Sequence, residues 1–207
     1  MQFRNHLINL LADPVKIRVY QALSLHTVGL TGRALGQIVE TSPFKINQVL
    51  KYLVEQGLVI QTVLGKAHRY SLNLEHVFIK SAMMALLKSE KDILKNMGRM
   101  MTNRLSPKPL AIILYGSVAR GDEGARSDLD LLVVFGDRPP SSKVLIKKFE
   151  DIPLMYGNFP SITCVGLSDF LSPDSAHQAL MRHIKKEGKS IAGLSVTALI
   201  SKYGHKS

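Results

Sequence analysis

Two short apolar runs, Leu110-Ala-Ile-Ile-Leu-Tyr115 and Leu131-Leu-Val-Val-Phe135, enclose Gly116-Ser117, a ten-residue interval and then Asp128-Leu129-Asp130. The runs are too short for helices and bounded by turn signals, so they are expected as buried strands. A Gly-Ser turn between strands can open a helix whose first N–H groups are free to hold phosphate. Asp128 and Asp130, alternating on the second strand, would direct both carboxylates to one face. Two carboxylates opposite a phosphate-binding turn can hold Mg²⁺ against a triphosphate, the layout that nucleotidyl transfer requires.

The stretch Gly116-Ser117-Val-Ala119-Arg120-Gly121-Asp-Glu-Gly-Ala-Arg126-Ser127-Asp128-Leu-Asp130 resembles the signature of the DNA polymerase β-type nucleotidyltransferase superfamily. It is most like the small members, the minimal nucleotidyltransferases, some of which pair with HEPN-type toxins. The resemblance covers about residues 106–190. It implies that Gly116 and Ser117 bind the β- and γ-phosphates and that Asp128 and Asp130 are the catalytic, Mg²⁺-ligating pair. Arg120 and Arg126 would add positive charge near the nucleotide. The family usually places a third carboxylate on the next strand. Here that strand reads Pro160-Ser161-Ile162-Thr163-Cys164-Val165-Gly166-Leu167, with Ser161 or Thr163 in its place. Two functions stay open. One is transfer of NMP from Mg-NTP to a protein, RNA or small-molecule hydroxyl. The other is a transcriptional regulator whose nucleotidyltransferase-like domain is inactive or only senses nucleotide, including an antitoxin-like partner of a toxin.

Three helix starts mark the N-terminal third: Asp13-Pro14, Thr31 and Ser42-Pro43. Asp, Thr and Ser are good N-caps, and Pro suits the first helical turn. Inward positions are expected at Val15, Ile17, Val19, Ala22 and Leu23, at Leu35, Ile38 and Val39, and at Ile46, Val49, Leu50, Leu53 and Val54. Residues 58–72 then read as a β-hairpin turning at Gly65-Lys66. Helices followed by a hairpin make a winged helix-turn-helix. Leu11-Ala-Asp-Pro-Val-Lys-Ile-Arg18, with Gln48-Val-Leu-Lys-Tyr-Leu-Val-Glu-Gln-Gly-Leu58, is similar to the arsenic-repressor type of winged-helix regulator. That likeness implies double-stranded DNA as partner. Lys45, Asn47, Gln48 and Lys51 would face the groove, and Lys66, His68 and Arg69 at the wing would meet phosphate. A protein-interaction role for the same module is the alternative.

Residues 74–105 read as one long helix carrying Ile79, Met83, Leu86, Ile93, Met97 and Met100 at heptad-like steps. This stripe either packs against the chain's own domains or forms the seam of a homodimer. Ser106-Pro-Lys-Pro109 ends it. Asp174 to about Lys189 is expected as a further helix, with Lys185, Lys186 and Lys189 as a short basic cluster. The organisation expected is therefore α+β: residues 1–73 a winged helix-turn-helix, 74–105 a connecting or dimerisation helix, and 106–207 a nucleotidyltransferase-like domain with a small mixed sheet.

The net charge is +11, with 8 Lys/Arg against 4 Asp/Glu in residues 1–75, 7 against 2 in 76–108, and 12 against 10 in 109–207. The surplus thus sits mainly outside the catalytic motif and favours a polyanionic partner, nucleic acid before membrane. One cysteine, Cys164, excludes an intramolecular disulfide and a thiolate metal cluster. With no apolar run of membrane-spanning length and no signal-peptide pattern, the expectation is a cytoplasmic protein without a membrane partner.

Overall fold

The computed structural model describes residues 6–65, 67–124, 127–136, 138–172, 174 and 177–204. The chain divides into two units, residues 1–91 and 92–207. No helix among the described residues is long and apolar enough to cross a membrane.

The first unit runs α1 (His6–Leu11), α2 (Pro14–Leu25), β1 (Leu30–Thr31), α3 (Gly32–Ile38), α4 (Pro43–Glu55), β2 (Val59–Leu64) and β3 (Ala67–Leu72). Its helices begin where the caps dictate. The Asp13 carboxylate accepts from Val15 N–H at 2.9 Å, Thr31 from Ala34 at 3.2 Å and Ser42 from Lys45 at 3.2 Å. Each satisfies an N–H that the first helical turn leaves free. Val19, Tyr20 and Leu23 of α2, Leu35 of α3, and Ile46, Val49, Leu50 and Leu53 of α4 form one core with Leu58, Val59 and Leu72 of the hairpin. Ile38 departs from expectation, at 49% exposed. The two turns of α3 commit Leu35 and the following Val39 to the core, and Ile38 falls about 100° away from Val39. The strands pair antiparallel in the order β1-β3-β2, with Leu64 opposite Ala67 at the hairpin end. This is a winged helix-turn-helix.

A single π-helical turn at Ile79–Met83 leads into α5 (Met84–Arg104). The heptad-like stripe is divided along it. Ile79 and Met83 belong to the core of the first unit, and Met97 and Met101 to a core of the second. Leu86 and Ile93 between them are 55% and 49% exposed.

The second unit continues with β4 (Ala111–Tyr115), α6 (Gly116–Arg120), β5 (Leu129–Phe135), α7 (Ser142–Lys148), α8 (Ile152–Tyr156) and β6 (Pro160–Gly166). It closes with α9 (Leu167–Leu171), α10 (Gln178–Glu187), β7 (Lys189–Gly193) and α11 (Val196–Tyr203). The sheet order is β6-β5-β4-β7, with β5 and β6 parallel and the other pairs antiparallel. Strand alternation sorts the apolar residues onto two faces. Ile112, Leu114, Leu131, Val133 and Ile162 pack with Met97, Met101, Leu145, Phe149 and Ile152. Ala111, Ile113, Leu132, Val134 and Val165 pack with Phe170, Met181, Ile184 and Leu199.

Two features go beyond the sequence expectation. The helix expected from Asp174 spans Gln178–Glu187 among the described residues, and the Asp174 side chain accepts from His177 N–H at 2.9 Å just before it; residues 173, 175 and 176 lie outside the described residues. The fourth strand, β7, buries only Ile191 fully and so lacks an apolar run. Gly98 lets α5 lie against that strand. A Cβ there would overlap the Ile191 carbonyl, so any larger residue pushes helix and strand apart.

Candidate nucleotide site and nucleic-acid interface

The nucleotide motif is brought together at one end of the second sheet. β4 delivers Tyr115 and then Gly116, which turns the chain at φ +74° into α6. β5 lies beside it, with Tyr115 opposite Asp130. Asp130 in turn stands opposite Ser161 on β6, whose hydroxyl favours its ionised form. With Thr163 two residues beyond Ser161, one face carries the row Tyr115, Asp130, Ser161 and Thr163.

Gly116 and Asp130 touch. A Cβ at Gly116 would collide with the Asp130 carboxylate, and the backbone conformation is one that L side chains rarely adopt. Turn and carboxylate therefore form one cradle that glycine alone leaves open.

Asp128 occupies a different position from the one expected. It precedes β5 by one residue and is exposed, whereas Asp130 on the strand is half-buried. A turn not anticipated from the sequence holds it. The Asn158 amide donates to the Ser127 carbonyl at 2.8 Å, and Leu129 N–H donates to the Phe159 carbonyl at 2.8 Å. Both neighbours of Asp128 are thus fixed to residues 158–159. The signal available in the sequence was Gly157-Asn158 followed by Pro160, a turn composition. Phe159 itself is left 69% exposed.

Burial raises the Asp130 pKa, and the Asp128 charge raises it further, against the Ser161 hydrogen bond and the Arg120 charge. Burial, with the charge of Asp130, likewise raises Tyr115. A proton or a cation at Asp130 relieves the same repulsion. Arg120 is exposed and donates to Asp122 at 3.0 Å, so its cation is partly engaged. Arg126 lies outside the described residues.

Among the described residues no group of three or more His, Cys, Asp and Glu could hold a metal ion. Asp128 and Asp130 are a two-carboxylate set, all hard oxygen, beside a cradle that a Cβ would fill. Such donors suit Mg²⁺ held jointly with a ligand's phosphates. Ser161 and Thr163 stand on β6 where the family pattern would place a third acid. The two histidines of the C-terminal segment have carboxylate partners close in sequence, His177 with Asp174 at 2.9 Å and His183 with Glu187 at 3.3 Å. The expected Lys185–Lys189 cluster is also divided, since Lys185 donates to the Leu171 carbonyl at 3.0 Å.

On the winged helix, Asn47, Gln48 and Lys51 form an exposed polar stripe on α4. Lys45 points back to the cap of α2, 2.7 Å from Asp13, and this hydrogen bond lowers the Asp13 pKa. His68 meets Gln61 across the wing at 2.9 Å, and Arg69 stands opposite Thr62 and Thr31. Lys66 lies outside the described residues.

Residues 100–195 match the model of a protein family described as polymerase beta, nucleotidyltransferase. The second unit carries a domain of that family. The cradle of Gly116, Asp128 and Asp130 falls within this nucleotidyltransferase domain. No curated protein matches the chain. Among solved structures, a predicted DNA-binding transcriptional regulator from E. coli is 21% identical, over 42% of this chain and 84% of its own, with TM-score 0.35. The antimony-specific transcriptional repressor AntR is 20% identical, over 41% of this chain and 75% of its own, with TM-score 0.35. A toxin–antitoxin with AMP-PNP is 22% identical, over 54% of this chain and 87% of its own, with TM-score 0.38. At these scores the likeness is partial, and the function of none of these proteins passes to this chain through it.

Proposed function

We propose that this protein is a DNA-bound nucleotidyltransferase that moves a nucleoside monophosphate from Mg-NTP to a hydroxyl on a protein, an RNA or a small molecule. In this reading residues 1–73 bind DNA, 74–105 join two copies and 106–207 carry the chemistry. The observation that carries it is the close approach of the Gly116 turn to the Asp130 carboxylate. The turn's N–H groups and the Ser117 hydroxyl would hold the β- and γ-phosphates, with Asp128 and Asp130 as ligands of the cation. Bound Mg²⁺ neutralises charge on the phosphates and the departing pyrophosphate. The acceptor oxygen bonds to the α-phosphorus, the bond to the β-phosphate oxygen breaks, and the acceptor proton leaves to water. Residues of the site hold and orient these groups, which is most of what phosphoryl chemistry asks of a protein.

The test is transfer of label from α-³²P NTPs with Mg²⁺ in cell lysate. Label on an acceptor, lost in the Asp128→Ala/Asp130→Ala double variant, is expected. No label above background from the wild type overturns the transferase reading. A second reading then applies, a DNA-binding regulator with a nucleotide-sensing or retired site, acting with or without a toxin partner. Ser161 opposite Asp130, in place of a third acid, favours it.

The DNA arm rests on the exposed α4 stripe and the wing. Lys51→Ala and Arg69→Ala are each expected to weaken binding of duplex DNA across sequences. Each should lower the slope of log K against log salt by about 0.9 for every phosphate it no longer neutralises. An unchanged slope in both removes these residues from the interface. The exposed Leu86 and Ile93 support the homodimer through α5.

A further inference from the structure

The edge of the second sheet away from β6 holds a cleft that the nucleotide site does not use. It lies between the C-terminal half of α5 and β7, has a volume of about 450 Å³, and is lined by Lys95, Arg99, Thr102, Asn103 and residues 190–193. No carboxylate is among these residues. Lys95 and Arg99 are one helical turn apart and both exposed. Lys108 adds a third cation, because its ammonium donates to the Thr102 and Asn103 carbonyls at 2.7 and 3.1 Å. On the strand side, the Ser190 hydroxyl is shielded from solvent and has no hydrogen-bond partner. Leaving such a group unpaired is costly, so a ligand that accepts from it is favoured.

We infer that this cleft binds the phosphates of a single nucleic-acid strand. Cations without acids attract an anion. Lys95 and Arg99 span one turn, and Lys108, held at the Asn103 carbonyl, carries the row of cations eight residues along from Lys95, roughly 12 Å of helix, which argues for more than one phosphate. That length takes two or three successive phosphodiesters, whereas a lone phosphate would occupy one turn. β7 meets Leu114 at Lys189, two residues before Gly116, so a strand lying in the cleft points toward the catalytic end of the sheet. The inference concerns binding only and does not depend on transfer activity.

The full chain is footprinted by lysine acetylation, read by mass spectrometry, with a 12-nucleotide single-stranded RNA or with inorganic tripolyphosphate as probe. RNA is expected to protect Lys95 and Lys108 several-fold and to leave Lys143 on α7 unprotected. In parallel, binding of the RNA is measured against salt for the wild type and the Lys95→Gln/Arg99→Gln variant. With two phosphates no longer neutralised, the slope should fall by about 1.4 and the affinity about tenfold at moderate salt. Both side chains are solvent-facing, so the melting temperature should not move. Absence of Lys95 protection, or an unchanged slope, overturns the inference. Protection by tripolyphosphate with none by RNA does so too, because it makes the cleft a site for a small phosphate compound.

Discussion

Gly116→Ala is expected to lower transfer from Mg-NTP at least about 100-fold while the protein still melts cooperatively. Two penalties act together. The first is conformational: at φ +74° an L side chain costs roughly 1–3 kcal/mol relative to glycine. The second is specific to this site, since the new methyl group and the Asp130 carboxylate cannot occupy the same space. Either the turn unwinds, withdrawing its N–H groups from the phosphates, or Asp130 swings away from Asp128 and the cation site opens. Both routes damage nucleotide binding, and neither reaches the cores on the two faces of the sheet. The measurement is Mg²⁺-dependent binding of a fluorescent NTP analogue alongside label transfer. Gly121→Ala is the control: Gly121 also has positive φ, but a Cβ there meets nothing within 4 Å. Equal loss in both variants would mean that backbone strain is responsible and that the collision with Asp130 is incidental.

The same pair shows which parts of the fold could be read from the residues. The Gly116-Ser117 turn and the apolar strand that carries Asp130 were legible because a turn and an apolar run are local patterns, whereas Asp128 falls one residue before that strand. The three caps at Asp13, Thr31 and Ser42 were legible for the same reason. Long-range facts were not. That Asp130 faces Ser161 across β6 depends on strand register, and β7 joins the sheet with only Ile191 fully buried. The Asn158–Ser127 bond that holds one flank of Asp128 spans 31 residues. Lys45 was a groove candidate by the likeness to winged-helix regulators, yet it pairs with Asp13, 32 positions away. Charge on a helix face says that a residue can reach solvent. It does not say which neighbour competes for it.

Ser161→Asp is the substitution expected to raise activity. Ser161 stands directly opposite Asp130 in the strand pair, so a carboxylate at this position would be expected at the third corner of the cation site. It could bind a second cation or take the proton of the attacking hydroxyl, and general-base help of this kind is typically worth about 10²–10⁴-fold. An increase of tenfold or more in label transfer is expected at saturating Mg²⁺. The cost appears without metal. Asp130 is already raised by burial and by Asp128, so its ionised form is less favourable in the folded than in the unfolded chain. For such a group, stability is fully present below the unfolded pKa and is lost as pH rises through the folded pKa. A third carboxylate deepens that loss. Ser161→Asp should therefore melt below the wild type at pH 7 in EDTA, recover toward it at pH 4, and recover at pH 7 when Mg²⁺ is added. A variant that melts as the wild type does in all three conditions would place residue 161 outside the cation site. One that recovers with Mg²⁺ but transfers no faster would show a metal site complete in its carboxylates and limited by the acceptor.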